Sequence, residues 1–352
     1  MIVDALKKAQ AKGHLTADEA YATFREIMNG EVTDPVLIGA LLTAMQMNGP
    51  TTAEVTGAAK AMRGAGLKVK APADAVDIVG TGGDGFGTFN CSTTAAFIAA
   101  GAGVTIAKHG NKASTSKSGA ADCLAALGYN LMLDLADVER SIAANGIGFC
   151  FANRCHPAMM YAAPVRRALP YRTIFNLLGP LTNPAGVTRC ALGVYAPEIV
   201  PLYVGALQAL GTQKALVFCG PDGLDELGLA GPSHVAELNA DGSVKEYDFD
   251  PKSVFGAYYP IEAIKGGTPE ENAQLTRAVL TGEEKGAYRF AAALNAAAAI
   301  VAGGKARTLA DGLSLAFLSI DSGSAYSKLA AMVADSNHKH DEHCTCGCHG
   351  HS

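Results

Sequence analysis

The chain has 352 residues, 49% of them hydrophobic and 17% charged, with a formal net charge of −5 at pH 7. That length holds one large or two ordinary domains at ~100–200 residues each, and so apolar a composition excludes a disordered chain. The acidic balance speaks against nucleic-acid binding, which needs clustered Lys and Arg, yet a phosphorylated small molecule can be held wherever a few cations and backbone amides converge.

The first 70 residues read as helices. Thr16-Ala-Asp-Glu19 and Thr51-Thr-Ala-Glu54 are capping boxes, in which the Thr oxygen and the Glu carboxylate satisfy backbone N–H groups at a helix start. Asp34-Pro35 supplies an N-cap followed by proline at the first helical position. The apolar run 36–47 continues that helix, with Met45 and Met47 read as core or subunit-interface residues. The pattern changes near Ala71-Pro72. Strands are predicted at 76–79, 104–107, 147–151, 190–195 and 215–219, with helices at 91–102 and 120–127, and such alternation predicts a mostly parallel sheet covered by helices. Residues 235–238 and 244–249 read as an antiparallel hairpin, and 270–334 as largely helical. The final segment, 338–352, holds five of the nine His and three of the nine Cys, as in Cys344-Thr-Cys346-Gly-Cys348-His349. It has no apolar periodicity and is expected to be a disordered tail outside the catalytic machinery.

The other six Cys (91, 123, 150, 155, 190 and 219) are scattered singly, as in a reducing compartment. The start of the chain does not combine a basic stretch, an apolar run and a small-residue cleavage site, and the apolar stretch 291–302 is short and interrupted by Asn295. A soluble cytoplasmic protein without membrane contact is the expectation.

Four motifs carry chemistry. Gly80-Thr-Gly-Gly-Asp-Gly-Phe-Gly87 lies between a predicted strand and a helix opening at Asn90-Cys-Ser-Thr-Thr94. Successive N–H groups of such a turn, with the positive end of the helix, form an anion site suited to phosphate. The spacing is neither the dinucleotide fingerprint nor a Walker loop, and a plain tight turn is the competing reading. Lys108-His-Gly-Asn-Lys-Ala-Ser-Thr-Ser-Lys-Ser-Gly119 is a basic, hydroxyl-rich loop at the end of the next strand, able to wrap a pyrophosphate. Asp222-Gly-Leu-Asp-Glu226 follows the strand at 215–219, where adjacent carboxylates suit Mg²⁺ or merely form a charged turn. All three fall beyond the carboxyl ends of strands, where open α/β sheets bind ligands. In His156-Pro-Ala-Met-Met-Tyr-Ala-Ala-Pro-Val-Arg166-Arg167, an arginine in apolar surroundings is a good bidentate partner for a planar carboxylate, while His156 reads equally as a helix-cap or core residue.

In this order, and with Thr173-Ile-Phe-Asn-Leu-Leu-Gly-Pro-Leu-Thr-Asn-Pro184, the motifs resemble the anthranilate phosphoribosyltransferase family as far as about Val333. The resemblance implies an α/β fold with a small N-terminal helical domain (1–72, joined by helices from about 156–185) and a larger α/β domain (73–336) with a mostly parallel sheet. Homodimerisation through the helical part is also implied. Gly80, Gly83, Asp84, Thr88, Asn90, Cys91, Ser92 and Thr93 would hold 5-phosphoribosyl 1-pyrophosphate. Lys108, Lys112, Ser116 and the loop between them, with Ala120, would close over its pyrophosphate. Ser92, Asp225 and Glu226 would ligate two Mg²⁺ ions. Asn111 and Arg166 would contact anthranilate, with His109, His156 and Gly179 near its path. Lys112, Ala113 and Ala120 stand where members often have Arg, Ser and Ser, so Ala120 lacks a phosphate hydroxyl contact. Asn153 and Cys155 stand where Pro and an aromatic or His are common.

The implied reaction breaks the bond from ribose C1 to pyrophosphate through an oxocarbenium-like state, with the lysines and Mg²⁺ balancing charge on the leaving group. Lys108 and Arg166 would act by electrostatics and positioning, and no general base is apparent. Two other readings share this architecture, a pyrimidine nucleoside phosphorylase and a non-enzymatic nucleic-acid-binding relative. The acid pair and the segment 108–111 argue against the first, the net charge against the second.

Overall fold

A computed structural model describes residues 1–113 and 116–338. Four helices open the chain: α1 (Ile2–Gln10), α2 (Ala17–Met28), α3 (Pro35–Asn48) and α4 (Thr52–Ala65). Both capping boxes form, and Asp34 caps α3 through Val36 N–H with Pro35 in its first turn. Helix α3 is apolar nearly all round. Ile38, Leu41, Leu42 and Met45 are buried, whereas Val36 and Met47 on the other side are 74% and 83% exposed.

Then follow β1 (Val76–Gly80), α5 (Cys91–Gly101), β2 (Ile106–Gly110), α6 (Ala120–Ala126), α7 (Leu135–Asn145), β3 (Ile147–Phe151), α8 (Ala152–Cys155), α9 (Ala163–Ala168) and α10 (Phe175–Leu178). The second half comprises β4 (Arg189–Gly193), α11 (Val200–Ala209), β5 (Lys214–Cys219), β6 (Ser233–Leu238), β7 (Val244–Phe249), α12 (Lys252–Phe255), α13 (Pro269–Leu280), α14 (Ala287–Ala302), α15 (Leu309–Asp321) and α16 (Ser324–Asn337). The strands form one sheet in the order β3-β2-β1-β4-β5-β6-β7, parallel through β5 and antiparallel at the β6–β7 hairpin. The order reverses direction between β1 and β4, which places a crevice at their carboxyl ends.

Strand β2 differs from the expectation of 104–107. Val104 still belongs to the turn closing α5, its N–H bonded to Ala99 O, and pairing with β3 runs from Ile106 to Gly110. Lys108 and His109 are therefore strand residues rather than the start of a loop. The last helix runs through Asn337, three residues beyond the helical span expected to end at 334, and the Asn337 side-chain amide bonds Gly128 O there. The rest of the tail, 339–352, lies outside the described residues.

Alternation along β4 and β5 divides the interior. Cys190, Leu192, Ala215, Val217 and Cys219 face a core shared with α1–α4, α11 and residues 162–181. Ala191, Leu216 and Phe218 face a second core with α5, α14, α15 and α16. Both faces are covered, which is why these strands read as nearly unbroken apolar runs. Alanines on α14 allow close approach to α5 and α15, and among them only Asn295 is a buried polar side chain between Ala291 and Ala302.

Candidate active site

The ends of β1, β4 and β5 meet where the acid segment 224–227 crosses them. Gly80 and Gly193 are register partners. A Cβ on Gly80 would lie 2.3 Å from Asp225 Oδ2, and one on Gly193 would lie 1.8 Å from Asp225 O, so only glycine lets the segment lie this close. Asp225 Oδ2 accepts from Gly82 N at 2.5 Å, and Glu226 Oε1 accepts from Ser92 N at 3.2 Å in the first turn of α5. Asn295 fixes the next residue, accepting from Leu227 N (2.9 Å) and donating to Leu227 O (3.1 Å). Asn295 was legible in the sequence only as a lone amide in an alanine-rich run.

Asp225 and Glu226 are not the solvated charged turn their spacing allowed. They are 8% and 9% exposed. Burial, and then the charge of Asp84, raises the Asp225 carboxyl above its ordinary range, and burial followed by Asp225 raises Glu226. Lys108 is buried beside them, donating to Ile78 O (2.6 Å) and Ser92 Oγ (3.4 Å). Burial lowers its pKa, while Asp77 and Glu226 act in the opposite direction. Asp77, absent from the sequence-derived site, is buried in β1, accepts from His109 N at 3.0 Å, and is pushed up to about 6 by burial.

The glycine loop joins β1 to α5 with Gly82, Gly83, Gly85 and Gly87 all at positive φ (+70°, +74°, +83° and +64°). Asp84 Oδ1 accepts from Phe86 N at 3.1 Å, and its buried Oδ2 has no partner among the described residues. Thr88 pairs with Lys265 in an isolated bridge. Asn90 is engaged by protein groups: its amide donates to Ser118 O (3.2 Å), and its carbonyl accepts from Ser118 Oγ (2.9 Å) and Asn272 Nδ2 (2.8 Å). Cys91 and Thr93 are buried at the start of α5, the thiol pushed up by burial. Asn111 Oδ1 accepts from Lys112 N at 2.8 Å, Ser116 Oγ donates to Ser118 O at 3.3 Å, and Ala120 opens α6. Residues 114 and 115 lie outside the described residues.

A second cluster adjoins the first through β2. The rings of His109 and His156 meet edge to face at 5.2 Å, and His109 Nδ1 lies 3.2 Å from Gly179 O. Burial lowers them to about 3 and about 4, so both imidazoles are neutral near pH 7. Arg166, on α9, is half-buried, and its guanidinium lies 5.3 Å from the Phe175 ring centroid with no hydrogen-bond or ion-pair partner among the described residues. Burial depresses its pKa.

Among the described residues no three His, Cys, Asp or Glu side chains form a ready metal cage. The donors nevertheless fit a hard cation. Two buried acids disfavour each other's charge, the neighbouring Asp84 oxygen lacks a partner, and Ser92 adds a hydroxyl. Mg²⁺ takes a few carboxylates and completes its shell with water and substrate phosphate.

Strand ends carrying an anion loop, a buried lysine and an acid pair suit an enzyme acting on a phosphorylated substrate, and the family matches make it a glycosyl-transferring one. The glycosyl transferase family, a/b domain, matches residues 72–326, and the glycosyl transferase family, helical bundle domain, matches residues 3–66. Anthranilate phosphoribosyltransferases of Nitrobacter hamburgensis and Xanthobacter autotrophicus are 50% and 49% identical over 92% and 94% of this chain and 95% of each relative. The crystal structure of anthranilate phosphoribosyltransferase from Thermus thermophilus superimposes with a TM-score of 0.89 at 45% identity, covering 95% of this chain and 99% of that one. The Saccharomyces cerevisiae enzyme in complex with PRPP and Mg gives 0.86 at 28% identity, covering 95% and 97%. The chain belongs to the anthranilate phosphoribosyltransferase family.

Proposed function

We infer that this chain transfers the phosphoribosyl group of 5-phosphoribosyl 1-pyrophosphate to the amine of anthranilate, giving N-(5-phosphoribosyl)anthranilate and pyrophosphate in tryptophan biosynthesis. The observation that carries this reading is the meeting of glycine-loop amides, the buried Lys108 and the Asp225–Glu226 pair at the ends of adjacent strands. The relatives' shared name supports it, as does the 4-fluoroanthranilate complex of the Saccharomyces cerevisiae enzyme.

Glycine-loop amides and the first turn of α5 bind the phosphates. Lys108 stays beside the leaving pyrophosphate and balances its growing charge. Ser92, Asp225 and Glu226 hold Mg²⁺, two ions in all, and bound Mg²⁺ supplies positive charge to the phosphate oxygens. Arg166 takes the anthranilate carboxylate, which gives its unpaired guanidinium a partner. Neutral His109 and His156 line the path without adding a cation that would compete with Arg166. The aromatic amine attacks C1 with its own lone pair as the bond from C1 to pyrophosphate breaks, and the proton it then sheds passes to the departing pyrophosphate or to water, so positioning suffices without a side-chain base before attack.

We also propose the division into a helical part (1–72 with about 156–185) and an α/β part (73–336), and a homodimer through the outward face of α3. Location in the cytoplasm is supported by the six cysteines among the described residues, all free and buried. No helix among the described residues is long and apolar enough to cross a membrane.

The test is direct. Protein mixed with anthranilate, phosphoribosyl pyrophosphate and Mg²⁺ should form phosphoribosyl anthranilate, and should release no thymine from thymidine and phosphate. The reverse pattern would make the chain a nucleoside phosphorylase.

A further inference from the structure

We propose that Arg172 is a positioning residue that clamps the glycine loop and ties it to the helical layer. The proposal rests on the functional reading above for its kinetic meaning, although the clamp itself is a matter of geometry. Arg172 follows the segment that carries Arg166 and leads into α10. Its guanidinium donates to the carbonyl of Gly83, at the centre of the glycine loop, and its Cζ lies 3.6 Å from the centroid of the Tyr195 ring, just past β4. The neighbouring Tyr171 points the other way, its hydroxyl 2.6 Å from Thr43 Oγ1 on α3. Two consecutive side chains therefore join the helical layer to the loop.

The loop needs such a partner. Four positive-φ glycines in six residues leave it with few barriers of its own, and only Asp84 and Phe86 supply side chains there. The carbonyl of Gly83 accepts from Arg172, and because it shares a rigid peptide plane with the N–H of Asp84, holding it also sets the direction of that N–H in the middle of the loop. Contact with the Tyr195 ring orients the guanidinium and leaves N–H groups beyond the one used by Gly83. A lysine cannot stack and donate in the same way. Arg172 is half-buried, so loop order can respond to what occupies the site.

Arg172→Ala, Arg172→Lys and Tyr195→Leu in the full chain test the clamp. Amide exchange of residues 82–87 should quicken in Arg172→Ala without substrate, with Tm within about 2 °C of the wild type. The phosphoribosyl pyrophosphate KM should rise roughly tenfold or more, as for a lost hydrogen bond from a charged group, with the anthranilate KM little changed. Free guanidinium should restore part of the loss in Arg172→Ala, and Arg172→Lys and Tyr195→Leu should be intermediate. Unchanged exchange and KM would overturn the proposal, as would a rise confined to the anthranilate KM or a global fall in Tm. If the wild type transfers no phosphoribosyl group, the functional reading fails while the exchange data still decide the clamp.

Discussion

At the residue scale the acid pair combines two opposed demands. In the absence of metal, the raised carboxyls of Asp225 and Glu226 bind protons in the folded state that the unfolded chain has lost. Their contribution to stability is therefore unfavourable above the ordinary carboxylate value of 3.8 and grows as pH rises toward neutrality. Asp225→Asn with Glu226→Gln, in a chelator, should melt above the wild type at about pH 8, with the gap closing by about pH 4. The same variant should lose turnover and any rise in Tm on adding Mg²⁺. A double variant with wild-type turnover would falsify the metal assignment. Arg166 gives a cleaner separation, because nothing in the described protein competes for it. Arg166→Ala should raise the anthranilate KM by roughly 10- to 100-fold, the equivalent of about 1.5–3 kcal/mol, and leave the phosphoribosyl pyrophosphate KM nearly unchanged. Steady-state kinetics with each substrate varied in turn would measure both.

At the element scale, glycine serves two ends that substitution can separate. Gly85 has φ +83° with nothing near its missing Cβ, whereas Gly193 lies against the backbone of Asp225. Gly85→Ala should cost roughly 1–2 kcal/mol of stability through left-handed strain and keep the Mg²⁺-induced rise in Tm. Gly193→Ala should displace residue 225 and abolish both that rise and turnover, which thermal melts with and without Mg²⁺ would show. Caps, turns and the apolar strands were legible because their causes are local: Thr16 and Glu19 need only each other, and 147–151 is bounded by its own turn. The strand at 106–110 was misplaced because Val104 and Thr105 have strand-forming side chains, while pairing with β3 decides the boundary. The acids were legible as adjacent carboxylates at a strand end but not as buried groups, since burial depends on Gly80 and Gly193, far away in sequence. Arg172 and Asn295 gave no pattern at all. Their partners are backbone atoms of Gly83 and Leu227, which no spacing rule reaches.

Across the whole molecule, α3 presents Val36 and Met47 outward from an otherwise packed helical layer. If the proposed homodimer forms through this face, Val36→Asp with Met47→Asp should sediment as a monomer with an intact melting transition while the wild type sediments as a dimer. An unchanged sedimentation coefficient would place the interface elsewhere. The bond from Gly82 N to Asp225 Oδ2 spans 143 positions of sequence, and β4 separates the strands that carry its two ends. Chains dominated by such distant pairings fold slowly, because loop closure must precede the contact that rewards it. Helices and the β6–β7 hairpin can form early, yet none of them assembles the reaction centre. Recovery of turnover after dilution from denaturant should thus lag the recovery of helical circular dichroism, which makes the enzyme's own chemistry a clock for the closing of its sheet.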